Sequence, residues 1–103
     1  MIEVDYGETV RETIIARVIK LDGSVRVNAC ICERLELGYA ARVGTAFVAA
    51  NVELDGSTYI QTLSLQQGAK VERGYAAKAP YNPVLPKEEW EAAARQFMKD
   101  QGY

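Results

Sequence analysis

Two Asp-Gly turns set between β-branched runs, and one amphipathic stripe near the C-terminus, predict an α+β protein. The expected architecture is an antiparallel β-sheet of about five to six strands built from two hairpins, with one C-terminal amphipathic α-helix packed on it. In this reading residues 1–79 form the sheet, 80–86 a proline-rich linker and 87–103 the helix, all within one domain.

The first hairpin spans Arg11 to Cys32 and turns at Asp22-Gly23. A type I′ turn needs positive φ at both central residues, which Asp tolerates and Gly adopts freely. Counting outward sets Val18 opposite Val27, Ala16 opposite Ala29 and Ile14 opposite Ile31, an apolar face. The other face, with Arg17, Ile19, Arg26, Cys30 and Cys32, is mixed. The second hairpin spans Ala46 to Leu65 and turns at Asp55-Gly56, with Val52 opposite Tyr59 and Val48 opposite Leu63.

The remaining elements follow from local pattern. Ile2, Val4 and Tyr6 alternate with Glu3 and Asp5, a short strand ended by Gly7. Glu33 to Gly38 reads either as a strand end or as a single helical turn, and Tyr39 to Val43 as a connector or a strand. Lys70 to Tyr75 suits a last strand. Pro80, Pro83 and Pro86 lack ladder donors and mark the linker. Trp90, Ala93, Ala94, Phe97 and Met98 then line one helical face, with Glu88 and Glu89 at the positive end of the dipole and Lys99 at the negative end.

One echo stands out. Leu21-Asp22-Gly23-Ser24 recurs as Leu54-Asp55-Gly56-Ser57, and Gly38-Tyr39-Ala40-Ala41 as Gly74-Tyr75-Ala76-Ala77, at spacings of 33 and 36 residues. A duplicated strand-turn-strand unit and chance reuse of turn chemistry both account for it.

Composition excludes several functions. A chain of 103 residues with 49% hydrophobic side chains builds one core without metal or disulfide staples. A net charge of −2 gives no global attraction to phosphate or anionic lipid. No apolar run approaches the ~20 residues that span a bilayer, so no membrane is expected. The first residues also lack the basic and apolar regions of a signal peptide, and the expected setting is cytoplasmic, with reduced thiols.

The sequence holds no histidine, which removes the commonest general base and zinc ligand. Cys30 and Cys32 are the only cysteines; their Cys-x-Cys spacing puts both on one face of a strand, as two small core-facing residues. No glycine-rich phosphate loop occurs. The protein is therefore read as non-enzymatic, with no catalytic residue, cofactor or metal.

The candidate binding surface is Tyr39, Arg42, Arg73, Tyr75, Lys78 and Tyr81, extended by Arg17 and Arg26. The reading placed first is a small protein-interaction module, a regulator or inhibitor that occupies a partner's surface or pairs with a second copy through edge strands. The alternative is a single-stranded nucleic-acid-binding module, in which the cations follow phosphates and the tyrosines stack on bases.

Overall fold

The inward side chains set the architecture. Val25, Val27, Cys30, Cys32, Leu35 and Leu37 all lie in one core. They recur at steps of two, three, two, three and two residues. A flat strand would hold a step of two throughout. Each step of three carries the chain round a corner, so it wraps the core instead of crossing a sheet. The next turn repeats the pattern with Ala41, Val43, Ala46, Val48, Val52 and Leu54, one residue longer at its second corner. That extra residue is the register shift between Cys32 and Arg34.

The computed structural model describes residues 1–80 and 82–103. It is a parallel β-solenoid of about five turns with one C-terminal helix. The strands are β1 (Ile2–Val4), β2 (Thr9–Ile15), β3 (Val18–Leu21), β4 (Arg26–Leu37), β5 (Arg42–Leu54), β6 (Tyr59–Gln66), β7 (Lys70–Arg73) and β8 (Val84–Leu85), followed by helix α1 (Lys87–Asp100). Their pairings are all parallel: β1, β3, β4, β5 and β7 stack along one side, and β2, β4, β5, β6 and β8 along another.

The antiparallel sheet expected from the two Asp-Gly turns is therefore wrong. Val27 pairs with Val43, not Val18, and Val48 pairs with Leu65, not Leu63. The reason lies in the turn backbone. A hairpin turn would need positive φ at Asp22 and Gly23, whereas the left-handed residue is Ser24, with φ 59°. The Asp22 carboxylate accepts the Gly23 N–H at 2.7 Å, and Asp55 does the same for Gly56. These turns bend the chain into the next coil and do not reverse it. The Leu-Asp-Gly-Ser echo is real structural repetition, spaced by two turns.

Cys30 and Cys32 do face the core, as their spacing implied, while Ile31 between them points outward. An outward ladder of Ile15, Ile31, Phe47 and Ser64 runs across the coils. Helix α1 covers it with Trp90, Ala94, Phe97 and Met98. Phe47 meets Trp90 edge-on at 6.4 Å between centroids, and Phe97 at 5.2 Å. The Trp90 indole N–H donates to the Ser64 carbonyl at 3.2 Å. At the chain end the Tyr103 hydroxyl donates to the Thr13 carbonyl of β2. The helix thus runs back along the stack: its 14 residues span about 21 Å, close to the height of five rungs at about 4.8 Å each.

A helix this short is marginal alone, so its docking rests on the aromatic contact. Trp90→Ala is expected to cost about 3–5 kcal/mol, read as a lower urea midpoint. The far-UV strand signal should persist while helical signal falls. Unchanged stability would show that the helix is not a structural clamp.

Candidate functional site

Each turn of the coil passes one common corner. Its residues are Asp5-Tyr6-Gly7, Asp22-Gly23-Ser24, Gly38-Tyr39-Ala40, Asp55-Gly56-Ser57 and Gly74-Tyr75-Ala76. The third residue is left-handed in every rung: Gly7, Ser24, Ala40, Ser57 and Ala76 have φ between 58° and 75°. Four of the five are not glycine, and each carries strain on the order of 1 kcal/mol. The corners hold one another through stacked hydrogen bonds. Gly7 N–H donates to the Gly23 carbonyl, Ser24 to Tyr39, Ala40 to Gly56 and Ser57 to Tyr75, at 2.9–3.3 Å.

The second corner position alternates Tyr6, Gly23, Tyr39, Gly56, Tyr75. Tyrosine and glycine are close neighbours across the rungs. A Cβ at Gly23 would lie 3.2 Å from the Tyr6 ring, and one at Gly56 3.4 Å from the Tyr39 ring. The Tyr6 and Tyr39 rings thus lie along the bare backbone of the next rung. Gly38 nests similarly against the preceding corner, where a Cβ would sit 2.8 Å from the Asp22 carbonyl carbon. The result is a ridge of three exposed rings: Tyr6 is 72% exposed, Tyr39 63% and Tyr75 95%.

Parallel, in-register pairing places like positions in ladders on either side of this ridge. On one side Thr9, Arg26, Arg42, Tyr59 and Lys78 are stacked. On the other, Glu3, Lys20, Glu36, Glu53 and Glu72 are stacked. Among the described residues Arg26, Arg42 and Lys78 form no ion pair. The acidic ladder borders a groove of about 680 Å³, which Asp5, Asp22 and Asp55 also line. Lys20 reaches Glu36 at 3.7 Å. One edge of the ridge is therefore basic and the other acidic.

Of the residues singled out from sequence, Tyr39, Tyr75, Arg26, Arg42 and Lys78 come together at this corner. Arg73 does not join the basic ladder; it follows Glu72 in β7 and borders the acidic groove. Arg17 sits at a different corner, ion-paired with Glu33 at 2.9 Å on the surface. Tyr81 lies outside the described residues. Sequence reasoning passed over Tyr6, Tyr59, Glu36, Glu53 and Glu72. Their signal is the spacing of 16 to 19 residues between tyrosines and glycines at the corner, half that of the Leu-Asp-Gly-Ser and Gly-Tyr-Ala-Ala echoes.

The interior holds no second centre. Cys30 and Cys32 are free and buried. The Cys30 thiol is pushed well above its ordinary value, first by its hydrogen bond with Cys32, then by burial and by the charge Cys32 would carry. Among the described residues no group of three or more Cys, Asp or Glu is placed to hold a metal ion, and no helix is long and apolar enough to cross a membrane.

Fold and surface together define a β-solenoid clasped by one helix, with a charge-flanked aromatic ridge at its corner. No family model, curated protein or solved structure matches the chain.

Two outcomes are expected. Ala40→Gly should relieve left-handed strain and stabilise by about 1 kcal/mol, whereas Gly38→Ala, two residues earlier, should destabilise by more than that; paired urea titrations read both, and the same sign for the two would refute the corner geometry. Cys30 stays neutral in the fold after an unfolded thiol, at about pH 8.5, has begun to ionise. Its contribution is therefore full below that pH and is lost as pH rises. The unfolding midpoint should fall above about pH 9 in the wild type and less in Cys30→Ala.

Proposed function

We propose that this chain is a non-enzymatic protein-interaction module that binds a protein partner through the tyrosine ridge. The observation that carries the reading is the ridge itself: three exposed tyrosines on alternate rungs of one stacked corner, edged by opposite charges. Aromatic centres with polar, charged rims are the usual anatomy of protein interfaces. Tyrosine suits them because it is large, stiff and amphipathic.

The charge pattern favours a protein over a single-stranded nucleic acid. Arg26, Arg42, Tyr59 and Lys78 make a strip that a phosphate chain would follow. The acidic ladder and the corner aspartates lie just across the ridge, so bases stacked on Tyr39 or Tyr75 would draw their phosphates toward carboxylates. A protein surface can carry both signs and satisfy both edges. The reading moves the contact away from the strand edges. Beside β8, Pro80, Pro83 and Pro86 lack the N–H groups that pairing needs, and at the other end Tyr103 occupies the Thr13 carbonyl of β2, while β1 and β7 keep short open edges of three and four residues. The cytoplasmic setting belongs to the same proposal, supported by two free buried thiols.

The test is a photo-reactive residue in place of Tyr75, with a control in place of exposed Gln61, in cells making the full chain. Illumination should give a discrete protein adduct from the first position and none from the second. No protein adduct from position 75, with salt-sensitive retention of the chain on a single-stranded oligonucleotide, would overturn the reading in favour of nucleic acid.

A further inference from the structure

We infer that the partner seated on the ridge is a second copy of this chain, docked side by side and parallel about a two-fold axis that runs along the corner. The inference rests on the ridge being a protein-binding surface, and adds its occupant and orientation.

Two two-fold operations bring the ridge against itself. An axis perpendicular to the coil gives an antiparallel pair. It sets the acidic ladder of one copy against the acidic ladder of the other, and basic against basic. An axis parallel to the coil gives a parallel pair. It sets each acidic ladder against the basic ladder of the other copy, on both sides of the ridge. Like charges brought together cost free energy that opposite charges return, so the charge pattern selects the parallel arrangement.

The parallel operation also keeps every rung level with its own counterpart. Glu36 then faces Arg42 of the second copy, because the two residues leave and enter the same corner of one turn. Glu72 faces Lys78 in the same way, and Glu53 faces the Tyr59 hydroxyl. The one like-signed rung is Lys20 with Arg26, and there Lys20 is already held by Glu36 of its own chain at 3.7 Å. Tyr6, Tyr39 and Tyr75 each meet their own counterpart on the axis. A rung pitch of about 4.8 Å common to both ladders lets these pairs form together. Because a two-fold contact closes on itself, the product is a dimer, not a fibre.

The test uses single cysteines on the ridge, since Cys30 and Cys32 are buried. Tyr75→Cys and, separately, Tyr6→Cys are treated with a short bis-maleimide. Each should yield a covalent dimer by itself. A dimer that forms only when the two variants are mixed would show the antiparallel arrangement and overturn the proposal. Charge exchange supplies the second arm, followed by sedimentation equilibrium with circular dichroism as the folding control. Glu36→Arg or Arg42→Glu alone should weaken the dimer by about tenfold or more, and the two combined in one chain should restore it. A chain that is monomeric at low salt overturns the inference. If position 75 meanwhile gives an adduct with a different protein, the interaction reading stands and only the second copy is lost. If it gives none, both fall.

Discussion

The left-handed residue at the common corner is the constraint on which the rest depends. Ser24, Ala40, Ser57 and Ala76 accept an unfavourable backbone conformation, and the return comes from neighbours. The corner N–H groups of one turn bond the carbonyls of the next, so each strained turn is held in place by an identical one. Once the corners stack, parallel pairing in register follows, and so do the internal stacks of valine, leucine and isoleucine. Thr58 shows how tight the requirement is. It occupies an inward position at 1% exposure, and its hydroxyl is silenced by donating to the Asp55 carbonyl at 2.7 Å.

Such a coil has two weaknesses, its ends and its outward apolar ladder. Helix α1 addresses the second by lying across Ile31 and Phe47. Because it runs back along the stack, it ties late turns to early ones, which neighbour-to-neighbour pairing cannot do. The linker addresses part of one end. Lys78 and Leu85 still pair with β6, and the prolines among them present no further donors, while β7 keeps its outer edge.

What was legible in the chain was what depends on local pattern. The helix stripe from Trp90 to Met98 and the inward pair Cys30 and Cys32 could be read directly, and Tyr39, Tyr75, Arg42 and Lys78, singled out from sequence, do meet at one corner. The fold could not, because Asp-Gly chemistry is shared by hairpin turns and coil corners. What separates them is the φ of the following residue, and serine does not advertise a left-handed conformation. The inward steps of two and three also mimic a two-faced strand over any five-residue window. Ile31 therefore looks like core beside Val27 in the sequence, although the corner between them has already turned the chain. The repeat shows in the sequence at two turns and not at one, because Asp-Gly and Gly-Tyr corners alternate and only every second rung looks alike.

That alternation bears on why the ridge exists. A coil of this kind needs small residues near its corner, and Ser24, Ala40 and Ser57 meet the need one position on. It does not need tyrosine. Tyr6 and Tyr39 gain a bare glycine backbone to lie along, but most of each ring stays in water, and Tyr75 is 95% exposed. Three rings placed where folding gains little, at one corner on alternate rungs, leave apolar area uncovered at a cost in solubility. The flanking ladders compound this, since stacking Glu36, Glu53 and Glu72 in register sets like charges one rung apart. Folding alone would scatter such charges. Their segregation across the corner, acid on one flank and base on the other, is the charge pattern on which the proposed parallel pairing rests.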